Sequence, residues 1–200
     1  MTRPEALLMS GGMDSIALTF WWRPALAITI DYGQRPAQGE IQASTAACDA
    51  MGIEHYVLRA DCSATGSGDL AGAPALPIAP VSEWWPFRNQ LIITLGAIEC
   101  IRRDIPGLAI GTVKTDSAHR DGTIHFIDAM SALLATQEGA LTLEAPAIEW
   151  TSAQLVKCAE VPIEVLAWAH SCHTSDFACG RCRGCMKHFA TMEELRIGPY

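Results

Sequence analysis

The sequence lacks two features that would place it at a membrane or on nucleic acid: long apolar runs and an excess of basic residues. No apolar stretch approaches the roughly 18 residues of a membrane-spanning helix, and Met1–Pro4 do not begin a signal-peptide pattern. Lysine and arginine number 14 against 22 acidic residues, for a formal net charge of −8. Non-specific nucleic-acid binding needs a basic surface. We therefore expect a cytoplasmic protein without direct contact to membrane or nucleic acid.

Charged residues and internal repeats are also scarce. Only 18% of the residues are charged and half are hydrophobic, which is typical of a folded chain and not of a disordered one. Two hundred residues are enough for one compact domain with a sizeable core and a small appendage.

The Walker pattern, in which a lysine follows a glycine-rich loop, is missing as well. Instead, the segment Ser10-Gly11-Gly12-Met13-Asp14-Ser15 stands between the apolar run Ala6–Met9 and a helical pattern. Glycines let the backbone turn tightly against a ligand, and the N–H groups at a helix start attract anions. Ser10 and Ser15 add hydroxyl donors. The segment predicts a phosphate-binding loop; the plainer interpretation is an ordinary strand-to-helix turn.

The eight cysteines fall into two groups. Four stand singly and are predicted to pack as small apolar side chains: Cys48, Cys62, Cys100 and Cys158. Four follow the spacing C-x6-C-x2-C-x2-C: Cys172, Cys179, Cys182 and Cys185. Without a signal peptide a disulfide framework is disfavoured, and four thiolates suit a closed, structural Zn²⁺ site. An iron–sulfur cluster uses similar ligands, and spacing alone does not exclude it.

Short apolar segments alternate with helical patterns along the chain. The predicted strands are Ala6–Met9, Ala25–Ile30, His55–Leu58 and Leu108–Ile110. The predicted helices between them cover 13–22, 37–51, 89–103 and 123–136. Leu91–Ile98 is apolar around nearly its whole circumference, which predicts a mostly buried helix. The alternation predicts an α/β fold with a doubly wound parallel sheet, whose ligands bind beyond the carboxyl ends of the strands.

The C-terminal part has few strand signals. Helices are predicted there around 151–158, 161–170 and 186–195. We expect residues 1–145 to form the nucleotide-binding domain and residues 146–200 a small helical segment tied by the four-cysteine metal site. Residues 63–83 are rich in Gly, Ala, Pro and Ser, which predicts a mobile loop that could act as a lid.

The glycine-rich segment resembles the SGGxDS loop of the PP-loop ATP pyrophosphatases, which cleave ATP between its α- and β-phosphates. Three further segments resemble the QueC family of 7-cyano-7-deazaguanine synthases: Asp31-Tyr32-Gly33-Gln34-Arg35, Pro86-Phe87-Arg88-Asn89 and the C-terminal cysteine cluster. The matches follow the family's order from residue 6 to about residue 190. The chain is identified by this resemblance as a QueC-like protein.

The resemblance implies the chemistry of that family. The carboxylate of 7-carboxy-7-deazaguanine attacks the α-phosphate of Mg²⁺-bound ATP, pyrophosphate leaves, and ammonia attacks the acyl-adenylate. A second ATP then dehydrates the amide to a nitrile. ATP, Mg²⁺ and a structural Zn²⁺ are the implied cofactors, and a homodimer is common among relatives. Such chemistry needs alignment of the reactants and charge neutralisation more than covalent groups of the enzyme.

The resemblance also assigns residues. The implied catalytic residues are Ser10, Asp14, Ser15 and Arg88. The implied ATP-binding residues are Ser10, Gly11, Gly12, Asp14, Ser15, Asp31, Arg35, Arg88, Asn89 and Gly111.

The residues by themselves leave alternatives open. Asp14 either helps to hold Mg²⁺ or caps the helix that starts there. Arg35 and Arg88 are donor forks for phosphate, or surface arginines paired with acids. Asp31 meets a ribose or base, or starts a turn, and Asn89 alone is a helix cap.

Two departures from the family concern substrate recognition. The family's SGYPDCR stretch reads Thr115-Asp116-Ser117-Ala118-His119-Arg120-Asp121-Gly122 here. A lysine usual after the next Pro-Leu segment has no counterpart in 146–151, and the nearest is Lys157.

These departures slightly favour a divergent QueC-like ligase that passes the acyl group of a deazapurine carboxylate to an amine, including an amine of a partner protein in anti-phage defence. The alternative is the 7-cyano-7-deazaguanine synthase of queuosine biosynthesis. A non-catalytic nucleotide-binding module is a third hypothesis, disfavoured by the intact loop and by Arg88-Asn89. A tRNA-thiolating enzyme ranks last, because Cys100 is expected in a buried helix and the charge is acidic.

Overall fold

A five-stranded parallel sheet forms the centre of the molecule. The structure, a computed structural model, describes residues 3–198, with the backbone alone at residues 3, 4, 117 and 118. The strands are β1 (Arg3–Leu8), β2 (Pro24–Asp31), β3 (Glu54–Arg59), β4 (Gly107–Ile110) and β5 (Thr142–Glu144). Their order across the sheet is β3-β2-β1-β4-β5, and every pair is parallel. The predicted doubly wound parallel sheet is thus confirmed.

The apolar strands are continuous because both faces of the sheet are covered. Along β1, Leu7 packs into the core on one face, while Ala6 and Leu8 pack into the core on the other. All three are at most 6% exposed. A strand with two buried faces needs apolar residues at every position, which explains the uninterrupted run in the sequence.

Eight helices connect and flank the strands in the described residues. They are α1 (Met13–Trp22), α2 (Ala37–Met51), α3 (Gly68–Ala71), α4 (Arg88–Arg102), α5 (Ile124–Ala135), α6 (Ser152–Ala159), α7 (Ile163–Leu166) and α8 (Arg183–Leu195). Short 3₁₀ turns occupy Ser63–Thr65, Lys114–Ala118 and Arg120–Gly122. In the described part of the chain, none of the helices has the length and apolarity needed to cross a membrane.

Two sequence expectations about helices were wrong. The helix predicted over 161–170 is only one turn, Ile163–Leu166, and at its far end the His170 N–H donates to the Gly11 carbonyl and not to a helical one. The helix α4 is buried on one side only, with Ile98 49% and Ile101 48% exposed. It covers the sheet as a single layer, and among the described residues no further element shields its outer side.

The C-terminal segment contributes to the main core. One apolar cluster joins Leu7 and Ile16 of the N-terminal part to Leu155, Leu166 and Met192. On the opposite face, α4 and α5 build the second cluster. A boundary near residue 145 remains a prediction, but the two parts share a hydrophobic core.

Candidate functional site

A cavity of about 280 Å³ opens at the carboxyl ends of β1, β2 and β4. Several separate parts of the chain line it, among them the loop after β1 with Ser10, the segment after β4 with Gly111, and the C-terminal segment with Ser171 and Lys187. Parallel strands around a switch in strand order leave such a crevice, which is where open α/β sheets bind ligands.

The glycine-rich loop forms the floor of the cavity. The Ser10 hydroxyl donates to Ser15 Oγ at 3.3 Å, and Ser15 Oγ donates to the Gly12 carbonyl at 2.9 Å. Helix α1 begins after Gly12, and no described side chain caps its first turn. Uncapped N–H groups carry the positive end of the helix dipole, so the loop has the geometry of an anion site.

Two glycines bring the backbone elements of this site together. Gly11 has φ +72°, and a Cβ there would lie 2.6 Å from the carbonyl oxygen of Glu40. At the end of β4, a Cβ on Gly111 would lie 3.4 Å from Cα of Ser15. The loop, α2 and β4 therefore meet without side chains between them, and Gly11 is required for its conformation as well as its size.

Asp14 and Asp116 hold the ammonium group of Lys187 between them. Lys187 Nζ donates to Asp14 Oδ2 at 2.9 Å and to Asp116 Oδ1 at 2.7 Å. Burial alone would lower the pKa of Lys187, but the two carboxylates outweigh that effect and raise it. The lysine is therefore charged at neutral pH and links α1, the turn after β4 and α8.

Arg88 lies beside Tyr32 and Glu40 on one wall of the cavity. Burial raises the pKa of Tyr32, opposed by the guanidinium of Arg88. Burial likewise raises the pKa of Glu40 to about 7, although Gln34, whose amide donates to Glu40 Oε2 at 2.8 Å, and Arg88 act in the opposite direction. Two groups with strongly shifted pKa values thus flank one arginine.

Asn89, beside Arg88, is fixed by the segment after β4. Its backbone N–H donates to Asp121 Oδ2 at 3.2 Å, and its side-chain amide donates to the Asp121 carbonyl at 2.8 Å. Asn89 is 8% exposed and lines the cavity. These two contacts hold the start of α4, and with it Arg88, against the site.

Glu83 forms a charged cluster on another wall. Its Oε1 lies 3.4 Å from Arg183 Nε and 3.6 Å from His119 Nε2, and the residue is 3% exposed. Burial by itself would raise the pKa of this carboxyl, but the His119 hydrogen bond, a backbone N–H and nearby positive groups lower it to about 2. The cluster ties the loop before α4 to the cysteine-bearing segment.

Two side chains predicted to bind ATP lie away from the cavity lining. Asp31 Oδ1 accepts from the Gly33 N–H at 3.2 Å, and its Oδ2 lies 3.8 Å from Arg59 Nε. Arg35 is exposed and packs beside Gly72. The structure therefore brings together the loop, Arg88, Asn89 and Gly111, and it uses the other two in turns and surface contacts.

The four clustered cysteines converge at the start of α8. Their Sγ atoms all lie within 4.8 Å of one another: Cys172, Cys179, Cys182 and Cys185. The separation is 3.9 Å for both the 172–182 and the 179–185 pair. Four thiolates at the corners of a tetrahedron with bonds of about 2.3 Å are about 3.8 Å apart, so the set fits a single metal ion.

Backbone groups dock the cysteine segment onto the glycine-rich loop and onto α2. The His170 N–H donates to the Gly11 carbonyl at 2.8 Å. Asp176 Oδ1 accepts from the N–H groups of Gln38 and Gly39, at 3.1 and 3.0 Å. The cysteine-bearing segment is thus part of the wall of the cavity.

Sequence reasoning missed Lys187, Glu83 and Glu40 as residues of the site. Lys187 is 173 residues from the Asp14 that it contacts. Its one sequence signal is its place two residues after Cys185, which matters only once the cysteine cluster is known to touch the loop. Glu40 and Glu83 look like ordinary acidic residues of a helix and a loop.

Comparison with known families agrees with this geometry. The model of the family described as queuosine biosynthesis protein QueC matches residues 5–196. The 7-cyano-7-deazaguanine synthase of Methanocaldococcus jannaschii is 28% identical over 211 residues, which cover 90% of each chain. The synthase of Campylobacter fetus is 27% identical and covers 96% of this chain and 95% of its own. A synthase of Desulfitobacterium hafniense is 30% identical over 70% of this chain and 68% of its own.

A solved structure shares the fold. The U34-tRNA thiolase NcsA from Methanococcus maripaludis, determined with its [4Fe-4S] cluster, superposes with a TM-score of 0.54. The match covers 95% of this chain and 66% of the thiolase, at 14% sequence identity. At that identity the likeness concerns the fold alone.

Proposed function

The chain belongs to the QueC family, and from this we propose that it adenylates the carboxylate of 7-carboxy-7-deazaguanine with ATP and converts the product to the nitrile 7-cyano-7-deazaguanine. The observation that carries the proposal is the uncapped start of α1 within Ser10–Ser15, which faces a cavity with Arg88 on its wall. The names of the curated relatives support the nitrile product.

In this proposal the protein aligns reactants and neutralises charge. The N–H groups at the start of α1, with the Ser10 and Ser15 hydroxyls, bind the phosphates that leave as pyrophosphate. The Arg88 guanidinium offers a planar fork to a phosphate or to the substrate carboxylate. Holding carboxylate and α-phosphate in line removes much of the entropic cost of their reaction.

Asp14 is the residue that we propose as a ligand of Mg²⁺. Its Oδ1 is buried without a hydrogen-bond partner among the described residues, while Oδ2 is paired with Lys187. A carboxylate oxygen beside a phosphate-binding loop suits a hard divalent cation. When bound, Mg²⁺ supplies neutralisation of the charge on the departing pyrophosphate.

For the cysteine cluster we propose a structural Zn²⁺. A single tetrahedral ion fits sulfurs that all lie within 4.8 Å of one another. An iron–sulfur cluster lies between its cysteines and holds their sulfurs farther apart. Four thiolates leave no open coordination position, so the ion has no direct part in the reaction. We place this thiolate-dependent protein in the cytoplasm, where thiols stay reduced.

A second candidate is a ligase that passes the acyl-adenylate to another amine, such as one on a partner protein. The observation that favours it is the use of polar residues in the 115–122 segment. Asp116 pairs with Lys187, and Asp121 holds Asn89. Two acidic side chains of the stretch that departs from the family's pattern are thus occupied by protein contacts, which supports an altered substrate or acceptor.

Mass spectrometry of the products tests both candidates. The protein is incubated with Mg-ATP, 7-carboxy-7-deazaguanine and ¹⁵N-ammonium, with ATP omitted as the control. A labelled nitrile is the expected product. Pyrophosphate release that stops at adenylate or amide would favour the second candidate. No ATP-dependent product and no pyrophosphate would contradict both and leave a nucleotide-binding module.

A further inference from the structure

Lys187 occupies a distinctive place in the molecule. The sequence has three lysines, and Lys114 and Lys157 are exposed, whereas Lys187 lines the cavity with its side chain 35% exposed. Its ammonium group contacts Asp14, which belongs to the glycine-rich loop, and Asp116. An ion pair that faces the proposed ATP site from inside a cavity is more than a solvated surface contact.

The hydrogen-bond geometry of this group leaves room for an anionic ligand at Lys187. An ammonium group has three N–H donors, and the two carboxylates accept from two of them. The third donor remains for a ligand in the cavity. Two carboxylates beside a triphosphate would repel it, and the lysine offsets part of that repulsion.

The metal-binding segment determines where Lys187 lies. Cys182 is the N-cap of α8, and its sulfur accepts from the Cys185 N–H at 3.4 Å. Lys187 lies two residues after Cys185 on the same helix. The cysteine cluster thus fixes the first turn of α8, and the next turn carries Lys187, whose side chain reaches the loop.

We propose that Lys187 binds the phosphate chain of ATP, with Asp14 and Asp116 holding its ammonium group at the glycine-rich loop. This inference rests on the proposed function, since it assumes that the loop takes ATP. It assigns the metal-tied helix α8 a part in nucleotide binding, through a residue far from the loop in sequence. The contact is electrostatic and involves only phosphate, so the affinity for adenosine, which has no phosphate group, does not depend on Lys187.

The test compares ATP with adenosine in direct binding measurements, by calorimetry for ATP and by NMR titration for adenosine. Lys187→Met is expected to weaken ATP about tenfold to a hundredfold, the usual effect of losing a charge-assisted hydrogen bond, and to leave adenosine unchanged. Lys187→Arg keeps the charge and is expected to restore most of the ATP affinity. Lys157→Met, on the exposed side of α6, is the matched control and should bind both ligands normally.

A purely structural lysine gives a different result. Equal losses of ATP and adenosine affinity in Lys187→Met, or an unchanged ATP affinity, would overturn the inference. Lys187→Met leaves the Asp116 carboxylate without its cation, which could prevent folding. In that case the double variant Asp116→Asn/Lys187→Met removes the unpaired charge, and its ATP affinity is compared with that of Asp116→Asn alone. The proposed function fails separately: selective loss of ATP affinity in a protein that makes no deazaguanine product supports the inference and contradicts the function.

Discussion

At the scale of single residues, Gly11 tests whether the loop binds ATP. Gly11→Ala places a Cβ 2.6 Å from the Glu40 carbonyl in a left-handed conformation, so we expect ATP affinity to fall at least about tenfold. Gly52→Ala is the matched control: φ is +64° there, and no atom lies within 4 Å of the added Cβ. Gly52→Ala should lose about 1–2 kcal/mol of stability, and Gly11→Ala should lose more, because its Cβ also clashes with backbone. Calorimetric titration with ATP and urea unfolding measure the two effects, and equal ATP affinities would contradict the assignment.

The buried carboxyl of Glu40 makes a prediction about pH. Burial raises its pKa from 4.5 to about 7 in the folded protein, so the folded state binds this proton more tightly than the unfolded state. The stability from this group is fully present below about pH 4.5 and is lost as the pH rises toward 7. Gln does not ionise, so the Glu40→Gln variant does not lose stability in this way. Its free energy of unfolding relative to the parent should therefore rise between about pH 4.5 and pH 7, by at most about 3 kcal/mol. Urea unfolding at several pH values measures the difference, and a constant difference would contradict it.

The residues that could be predicted are those that belong to a short, continuous sequence motif. Ser10–Ser15 and the four cysteines are short patterns whose spacing implies their geometry. Lys187 could not be predicted, because its role depends on two contacts across 173 and 71 residues. For Asp31 the sequence predicts either a contact to a ribose or base or the start of a turn; its carboxylate accepts from the Gly33 N–H, as strand-terminal aspartates in turns commonly do.

At the scale of elements, the proposed metal site and α8 form one unit with the loop. Cys182→Ser is expected to abolish metal binding and to lower the melting temperature by about 10 °C or more, because a structural metal contributes several kcal/mol to folding. ATP affinity should fall as well, since the same segment carries Lys187 and the His170–Gly11 contact. Cys158→Ser is the control and should change neither, because Cys158 is exposed on α6; the prediction that it packs in the core was wrong.

Metal analysis of the parent protein accompanies that comparison. We expect one zinc per chain in the parent and in Cys158→Ser, and almost none in Cys182→Ser. Iron with a visible absorption band would contradict the choice of zinc. An unchanged ATP affinity in the metal-free variant would mean that ATP binding does not depend on the metal.

The elements that sequence reasoning missed are the short ones. Strand β5 has three residues, of which only Leu143 is buried, so its pattern is too brief to recognise. It exists because β4 offers a parallel edge for pairing, which is a tertiary cause. Helix α4 was expected to be mostly buried from its apolar circumference, but burial depends on what packs outside it, and Ile98 remains half exposed.

At the scale of the whole molecule, alternation of strands and helices was sufficient to predict the sheet, because parallel strands buried on both faces have a recognisable composition. The arrangement of the C-terminal segment was not predictable in the same way. The amphipathic patterns of its helices predict that one face of each helix is buried, but they do not predict which element covers that face. The structure supplies that partner: α6 packs on α1, and Leu155 lies in one cluster with Leu7 and Ile16.

This shared core predicts that the chain unfolds as one cooperative unit. Leu155 is fully buried, so Leu155→Ala should cost about 2–5 kcal/mol, while Leu133→Ala, at a position 49% exposed on α5, should cost much less. Urea unfolding is followed by far-ultraviolet circular dichroism and by tryptophan fluorescence, to which Trp21 and Trp150 contribute with ring centroids 4.9 Å apart across the two parts. Both probes should shift together in Leu155→Ala, because loss of the α1–α6 contact destabilises sheet and C-terminal segment alike. Two separated transitions, with only one displaced by the substitution, would mean that residues 146–200 fold independently of the sheet.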